Sequence, residues 1–262
     1  MNAPATWAER IRAGDRRALA RALTAIEDGS EHASGLRAAL ARYATGARVV
    51  GVTGPPGAGK STLINALIRE LLARGRRVAV LAFDPSSPFT GGAVLGDRIR
   101  MAEMQADERV FIRSLAARGH LGGLAPGAAA MVQVLDAAGF DYVLVETVGA
   151  GQSEVEIAGL AATRLVLCPP GAGDEVQALK AGILEIADAF IINKADSPDA
   201  ARTERELRAM LALRHNGPER PVLRTVATSG EGMASLAEWL EARAERILPM
   251  ISTEEELHGP TT

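Results

Sequence analysis

An α/β fold with a doubly wound, mainly parallel sheet is the class this sequence predicts. Three observations carry it. Short apolar runs recur along the chain at 48–53, 77–83, 109–113, 141–146, 163–168, 188–193 and 221–226. Amphipathic segments long enough to be crossover helices lie between most of them. Runs such as Val143-Leu144-Val145 and Ala189-Phe190-Ile191-Ile192 show no polar alternation, as expected of strands covered on both faces.

The elements follow in order. Residues 1–45 carry helical periodicity without strand signals. Ile11, Leu19, Leu23 and Ile26 fall near one face among charged residues, which predicts a helix broken at Gly29-Ser30, then a second short helix over 31–43. The first strand contains Val49-Val50-Gly51-Val52. It runs directly into Gly54-Pro55-Pro56-Gly57-Ala58-Gly59-Lys60-Ser61, and a helix-forming run, Thr62 to Ile68, follows. Strands and helices then alternate to a last helix over about 233–247, which ends before Pro249. The expected organisation is a helical extension over 1–45, one α/β domain over 46–247 and a polar, mobile tail over 248–262. No internal repeat or low-complexity linker is found.

Composition narrows the function classes. The chain has 262 residues, enough for one full core, and a formal net charge of −3, so no basic balance points to nucleic acid or an anionic membrane. Aromatic content of 3% leaves few rings for stacking on bases. A lone cysteine, Cys168, rules out an internal disulfide and a cysteine-built zinc site, and fits a reducing compartment. Cys168 closes an apolar strand, so packing is its expected role. No stretch approaches the ~18 apolar residues of a membrane span, and the N-terminus has no continuous apolar segment of the secretory kind. Residues 9–22 are Arg-rich, but Glu9 and Asp15 do not suit a mitochondrial address. The cytoplasm is the expected location.

The segment 54–61 matches Gly-x-x-x-x-Gly-Lys-Ser/Thr, and its strand–loop–helix context makes it a phosphate-binding loop. Gly54, Gly57 and Gly59 let the loop curl so that backbone N–H groups, Ala58 among them, converge on phosphates. The next helix adds its positive N-terminal end. Pro55 and Pro56 stiffen the approach. Lys60 is expected to neutralise the β- and γ-phosphates, and Ser61 to hold Mg²⁺. A carboxylate at a second strand end is then needed. Asp84 and Glu146 are the two candidates, each ending an apolar run, and Asp97 is a further metal or water ligand. Gly149 could sense the γ-phosphate through its N–H. The turn-rich segment Asp84 to Gly92 reads as a switch loop.

Asn193-Lys194-Ala195-Asp196 follows the strand 188–193 and points to guanine. A carboxylate at Asp196 can accept from both the ring N–H and the exocyclic amine, an edge that adenine lacks. Such selectivity is strong when the acid is buried. Lys194 can lie along the base, Asn193 can brace the loops, and the turn with Ser229 and Gly230 could lend amides to the guanine carbonyl. The pair of motifs makes the domain a P-loop G domain for GTP and GDP. No glutamine directly follows Gly149, and Gln152 lies three further on, so intrinsic hydrolysis is expected to be slow.

Several segments together resemble the MeaB/ArgK family of G-protein metallochaperones. They are Arg12 to Ala22, the phosphate loop, Asp84-Pro85-Ser86-Ser87-Pro88-Phe89-Thr90-Gly91-Gly92, Leu95-Gly96-Asp97-Arg98, and Arg118-Gly119-His120-Leu121-Gly122-Gly123. With them go Glu146-Thr147-Val148-Gly149-Ala150-Gly151-Gln152-Ser153-Glu154, Pro170-Gly171-Ala172-Gly173-Asp174-Glu175, and Asn193 to Asp196. The similarity spans about residues 7–247. It implies a GTPase that gates adenosylcobalamin delivery from a cobalamin adenosyltransferase to an adenosylcobalamin-dependent acyl-CoA mutase, and that protects or reactivates the mutase, which in turn accelerates hydrolysis. It also implies that Lys60, Ser61 and Thr62 hold phosphates and metal, and that Asp84, Asp97 and Glu146 form the acidic set. Loops at 84–100, 149–156 and 171–182 would be the switches, with Lys180 linking one of them to the nucleotide. Many relatives carry a C-terminal dimerising arm beyond the last helix. This sequence stops at Thr262, so a homodimer through another surface and a monomer are both expected arrangements.

Two alternatives stand beside that reading. Nickel-delivery GTPases bring His-rich stretches or clustered cysteines, whereas His32, His120, His215 and His258 are scattered here. A kinase needs a substrate pocket with its own base, and the guanine-selecting loop argues against one.

Overall fold

The computed structural model describes residues 4–84, 104, 106–116, 127–147, 153–171, 185–213 and 220–243. Within them a seven-stranded sheet has the order β3-β2-β4-β1-β5-β6-β7, and every paired neighbour is parallel. The strands are β1 (Arg48–Thr53), β2 (Val78–Asp84), β3 (Val110–Ala116), β4 (Tyr142–Glu146), β5 (Thr163–Leu167), β6 (Ala189–Asn193) and β7 (Val222–Thr225). The expected fold class is the observed one, with strand limits within a few residues of the apolar runs.

Alternate side chains of the strands enter opposite layers, which explains the unbroken apolar runs. Val50, Val52, Val80, Leu144 and Leu165 face α4 (Lys60–Ala73) and α8 (Met233–Ala242). Val49, Leu81, Val143 and Val145 face the other side, where α5 (Ala128–Ala137) and the N-terminal helices lie. Val166, Phe190 and Ile192 meet α7 (Ala200–Ala212). At the centre of β1, Gly51 lets α6 (Ser153–Leu160) approach closely. A Cβ there would meet Cδ1 of Ile157 at 2.6 Å, so even alanine requires the Ile157 side chain to move.

The N-terminal part differs from expectation in one respect. The periodicity through Ile11 and Leu19 reads as a single helix, but the chain forms α1 (Pro4–Arg12) and α2 (Arg16–Glu27). Gly14 turns the backbone with φ 84°, and Asp15 caps α2 by accepting from the amides of Arg17 and Ala18, each at 3.0 Å. Capping of this kind is worth about 1 kcal/mol. Cap and Arg10 together hold the Asp15 carboxyl below its usual range. α3 (His32–Ala41) follows the Gly29 break. These helices share one apolar core with the sheet, and Arg113 of β3 grips Glu27 at 2.7 Å. Asp136 of α5 accepts from the amides of Thr45 and Ala47, fixing the chain as it enters β1. The last helix stops at Ala242, short of the expected 247, because Arg243 caps it in a non-helical conformation with ψ 80°, and residues 244–247 lie outside the described residues. Among the described residues no helix is long and apolar enough to cross a membrane.

Candidate functional site

The carboxyl ends of β1, β4 and β6 lie side by side or one strand apart, and most of the expected site residues gather there. Residues 54–59 join β1 to α4. Gly59 is the N-cap of α4 at φ 88°, and a Cβ on it would meet Nδ2 of Asn193 at 2.5 Å. Only glycine satisfies both the left-handed backbone and that contact. The first turn of α4 then begins with Lys60, Ser61 and Thr62. Lys60 is 8% exposed, and its Nζ donates to the carbonyls of Gly54 at 2.9 Å and Pro55 at 3.1 Å. The ammonium is thus folded back over its own loop.

The parallel register puts Glu146 beside Val52 of β1 and Ala82 of β2. Its Oε1 accepts from Ser61 Oγ at 2.8 Å. A hydroxyl and a carboxylate in that juxtaposition make an all-oxygen donor set of the kind a small hard cation takes, so the residues present fit Mg²⁺. The backbone of Asp84 ends β2 two residues beyond Ala82. Asp97, Gly149, Gln152 and Lys180, with the greater part of the proposed switch loops, lie outside the described residues. Among the described residues no three His, Cys, Asp or Glu side chains cluster as a metal site.

The Asn193–Asp196 segment is strapped to the phosphate loop from the side. Asn193, 2% exposed at the end of β6, donates from Nδ2 to Ala58 O at 3.0 Å. Its Oδ1 accepts from Thr225 Oγ1 at 3.2 Å and the Ala227 amide at 3.3 Å. One amide therefore joins three loops. Lys194, at φ 58°, reaches over the loop and donates from Nζ to Gly57 O at 2.9 Å. Asp196 departs from the expectation of a buried acid. It is exposed, and no described residue hydrogen-bonds its side chain. A carboxylate is costly to bury unpaired, and this one stays at the surface.

The turn after β7 also differs in detail. The amides of Ser229 and Gly230, expected to reach a base, both donate to Val226 O, at 3.1 and 2.9 Å. The turn itself uses both donors. Thr228 precedes them, and its exposed residue has no described partner for its N–H. A second feature lies outside the sequence reading. Thr147 Oγ1 donates to Thr53 Oγ1 at 3.0 Å in the buried space between the ends of β1 and β4, and the Thr147 amide donates to Val52 O. The only hint in the sequence is a threonine at or just past the end of each apolar run, Thr53 closing β1 and Thr147 following Glu146. Cys168, past the end of β5, is buried, and burial pushes its thiol up to about 12.

Comparison with known proteins gives the same picture. A solved structure titled LAO/AO transport system kinase superposes with a TM-score of 0.73 at 28% identity, covering 92% of this chain and 76% of that one. The nickel-bound HypB of Helicobacter pylori superposes with a TM-score of 0.57 over 80% of this chain and 91% of its own, and at 18% identity this likeness shows the fold alone. A protein of Pyrococcus abyssi named as a GTPase is 49% identical over 90% of this chain and 75% of its own length. The GTPase ArgK of Escherichia coli is 44% identical over 73% of this chain and 60% of its own. The mitochondrial methylmalonic aciduria type A homolog of Mus musculus is 42% identical over 71% and 46%. Residues 19–253 match the family described as methylmalonyl Co-A mutase-associated GTPase MeaB. With the phosphate loop, the Ser61–Glu146 pair and the Asn193–Asp196 segment converging at one edge of the sheet, the chain belongs to the MeaB family and is a GTPase that works on GTP with Mg²⁺.

Proposed function

We propose that this GTPase is a slow timer beside an adenosylcobalamin-dependent acyl-CoA mutase, gating delivery of the cofactor from an adenosyltransferase and protecting or reactivating the mutase. The observation that carries the reading is the family match over residues 19–253, whose description names a methylmalonyl-CoA mutase. The name of the mouse relative supports it.

In this reading the amides of residues 54–61 and the N-terminus of α4 cradle the phosphates. Lys60 would leave the Gly54 and Pro55 carbonyls for the β- and γ-phosphates, exchanging two neutral acceptors for charged ones. Ser61 and Glu146 would hold Mg²⁺, with Asp84 and Asp97 completing the acidic set. Bound there, Mg²⁺ supplies charge neutralisation to the phosphates. Asp196 would accept the guanine N–H and amine, Lys194 would lie along the base, and the Thr228 amide would meet the guanine carbonyl. Ser229 and Gly230 shape that turn. Gly149 would report the γ-phosphate to the switches, and through them to the mutase.

The test is GTP turnover, followed as phosphate release, with and without purified methylmalonyl-, ethylmalonyl-, isobutyryl- and 2-hydroxyisobutyryl-CoA mutases. A cognate mutase is expected to raise turnover by about tenfold or more, as partner-supplied groups do in other GTPases. Unchanged turnover with all four would remove the mutase role and leave the GTPase standing.

A further inference from the structure

The segment Arg12 to Ala22, distinctive in the sequence, takes no part in the nucleotide site. It roofs a cavity of about 350 Å³ at the other edge of the sheet. Arg77, Arg109 and Phe140 line this cavity and lie one or two residues before β2, β3 and β4, whereas the phosphate loop follows β1. With all strands parallel, the two sites are separated by a strand length, on the order of 20 Å. The volume falls within the range of small-molecule pockets.

Ile11 and Leu19 give the cavity apolar wall, with Phe140 beside them. The Arg77 guanidinium lies over the Phe140 ring, 5.0 Å from its centroid. Its Nη1 donates to Ala138 O at 3.2 Å and Gly139 O at 3.0 Å. That anchoring leaves Nε and Nη2, the two-pronged edge of the group, without a hydrogen bond among the described residues, and no described carboxylate pairs with it. The contrast with Arg109 is plain. Arg109 lines the same cavity but spends the same edge on Asp107, at 3.0 Å from Nε and 2.6 Å from Nη2. A planar guanidinium, fixed at one end and stacked on a ring, presents its free edge with little further loss of side-chain freedom. Parallel N–H groups of that edge match two oxygens of a carboxylate or phosphate.

We propose that this cavity is a second ligand site, for an organic oxyanion with a short apolar body. Nε and Nη2 of Arg77 hold the charged end, and Ile11, Leu19 and Phe140 meet the body. Carboxylates and phosphate monoesters share the required chemistry.

Calorimetric titration of the full chain with hexanoate, hexyl phosphate and the uncharged hexanamide tests the site. Binding of either anion, with hexanamide at least about tenfold weaker, supports it, and the better of the two anions names the class. Arg77→Gln is expected to weaken that anion by about tenfold or more while GTP affinity stays unchanged. Ala13→Phe, which fills the cavity from its exposed roof and leaves Arg77 in place, is expected to block the anion as well and keeps the test open if Arg77→Gln does not fold. No heat with either anion at millimolar concentration would overturn the assignment, as would equal binding of hexanamide or unchanged anion binding by both variants.

Discussion

The Ser61 hydroxyl donates to Glu146 Oε1 across 2.8 Å, tying the first turn of α4 to the end of β4. The two residues are 85 positions apart and meet only because β1 and β4 run parallel in register. Glu146→Gln keeps an oxygen that can accept from Ser61, so the fold and its melting temperature should hold. It removes the negative charge that a divalent ion requires. GTP turnover is expected to fall by about 10²-fold or more, the usual effect of deleting one preorganised electrostatic group. Binding of fluorescent GDP in EDTA should change little. Wild-type turnover by the variant would take Glu146 out of the metal set.

Asn193 carries a structural duty on top of any contact with a base. Asn193→Ala would leave the Ala58 carbonyl and the Ala227 amide without their buried partner. An unsatisfied buried group costs about 1–3 kcal/mol, so a loss of about 2–4 kcal/mol is expected in urea unfolding without nucleotide. Gly59→Ala should also destabilise, through both its φ of 88° and its contact with Asn193 Nδ2. Because the alanine at 193 removes that contact, the double variant should lose less than the sum of the two single losses. Strict additivity would show that the close approach of Gly59 to Asn193 has no energetic weight.

What could be read from the sequence follows from how local each signal is. The phosphate loop is contiguous, and strands covered on both faces leave apolar runs that need no partner to be recognised. The Gly14-Asp15 break is masked by the apolar spacing of Ile11 and Leu19, which continues across it, although glycine followed by a capping aspartate is a local stop-and-start signal. The Thr53–Thr147 hydroxyl pair joins residues 94 apart, and nothing short of the sheet register reveals it. For Ser229 and Gly230, glycine content announced a turn but did not show which amides the turn itself would use.

Asp196 is exposed and unpaired among the described residues, so its carboxylate is available to a purine edge. Asp196→Asn replaces a pair of acceptors with one acceptor and one donor. The variant is expected to lose GTP and gain xanthosine triphosphate, whose ring presents a carbonyl where guanine has its amine. The exchange should be at least about 10²-fold in relative affinity, as expected for a site that leaves polar groups unmatched with the wrong partner. Competition between the two triphosphates against a fluorescent analogue measures it. Full GTP affinity in the variant would mean that another group reads the base.

Cys168 gives a probe of the core around β5. Its thiol is pushed up to about 12 by burial, so at pH 8 the native protein holds it neutral and shielded. A disulfide reagent should label no thiol in the folded protein and one per chain in guanidinium, because the sequence has a single cysteine. For stability the sign is that of an acid whose neutral form is favoured by folding. The contribution is complete below the unfolded value, near 9, and is lost as pH rises toward 12. Rapid native labelling at pH 8 would show that the β5 end opens on that timescale.

Glu241 on α8 accepts from Arg76 Nη2 at 2.8 Å and Nε at 3.1 Å through one oxygen, and from Arg74 Nη1 at 2.9 Å through the other. Arg74 closes α4, so this carboxylate pins together the two helices that cover one face of the sheet. Hydrogen bonds from Arg76 first and Arg74 second hold its carboxyl below the ordinary 4.5. A depressed carboxyl contributes stability that is complete above the unfolded value and disappears as pH falls through the folded one. Glu241→Gln should therefore lower stability by about 1 kcal/mol at pH 7, a modest figure because both arginines remain partly solvated. The difference from wild type should shrink as unfolding is measured at successively lower pH below 4.5. A gap between the two proteins that persists at the acid end would mean that Glu241 acts through packing and not through its charge.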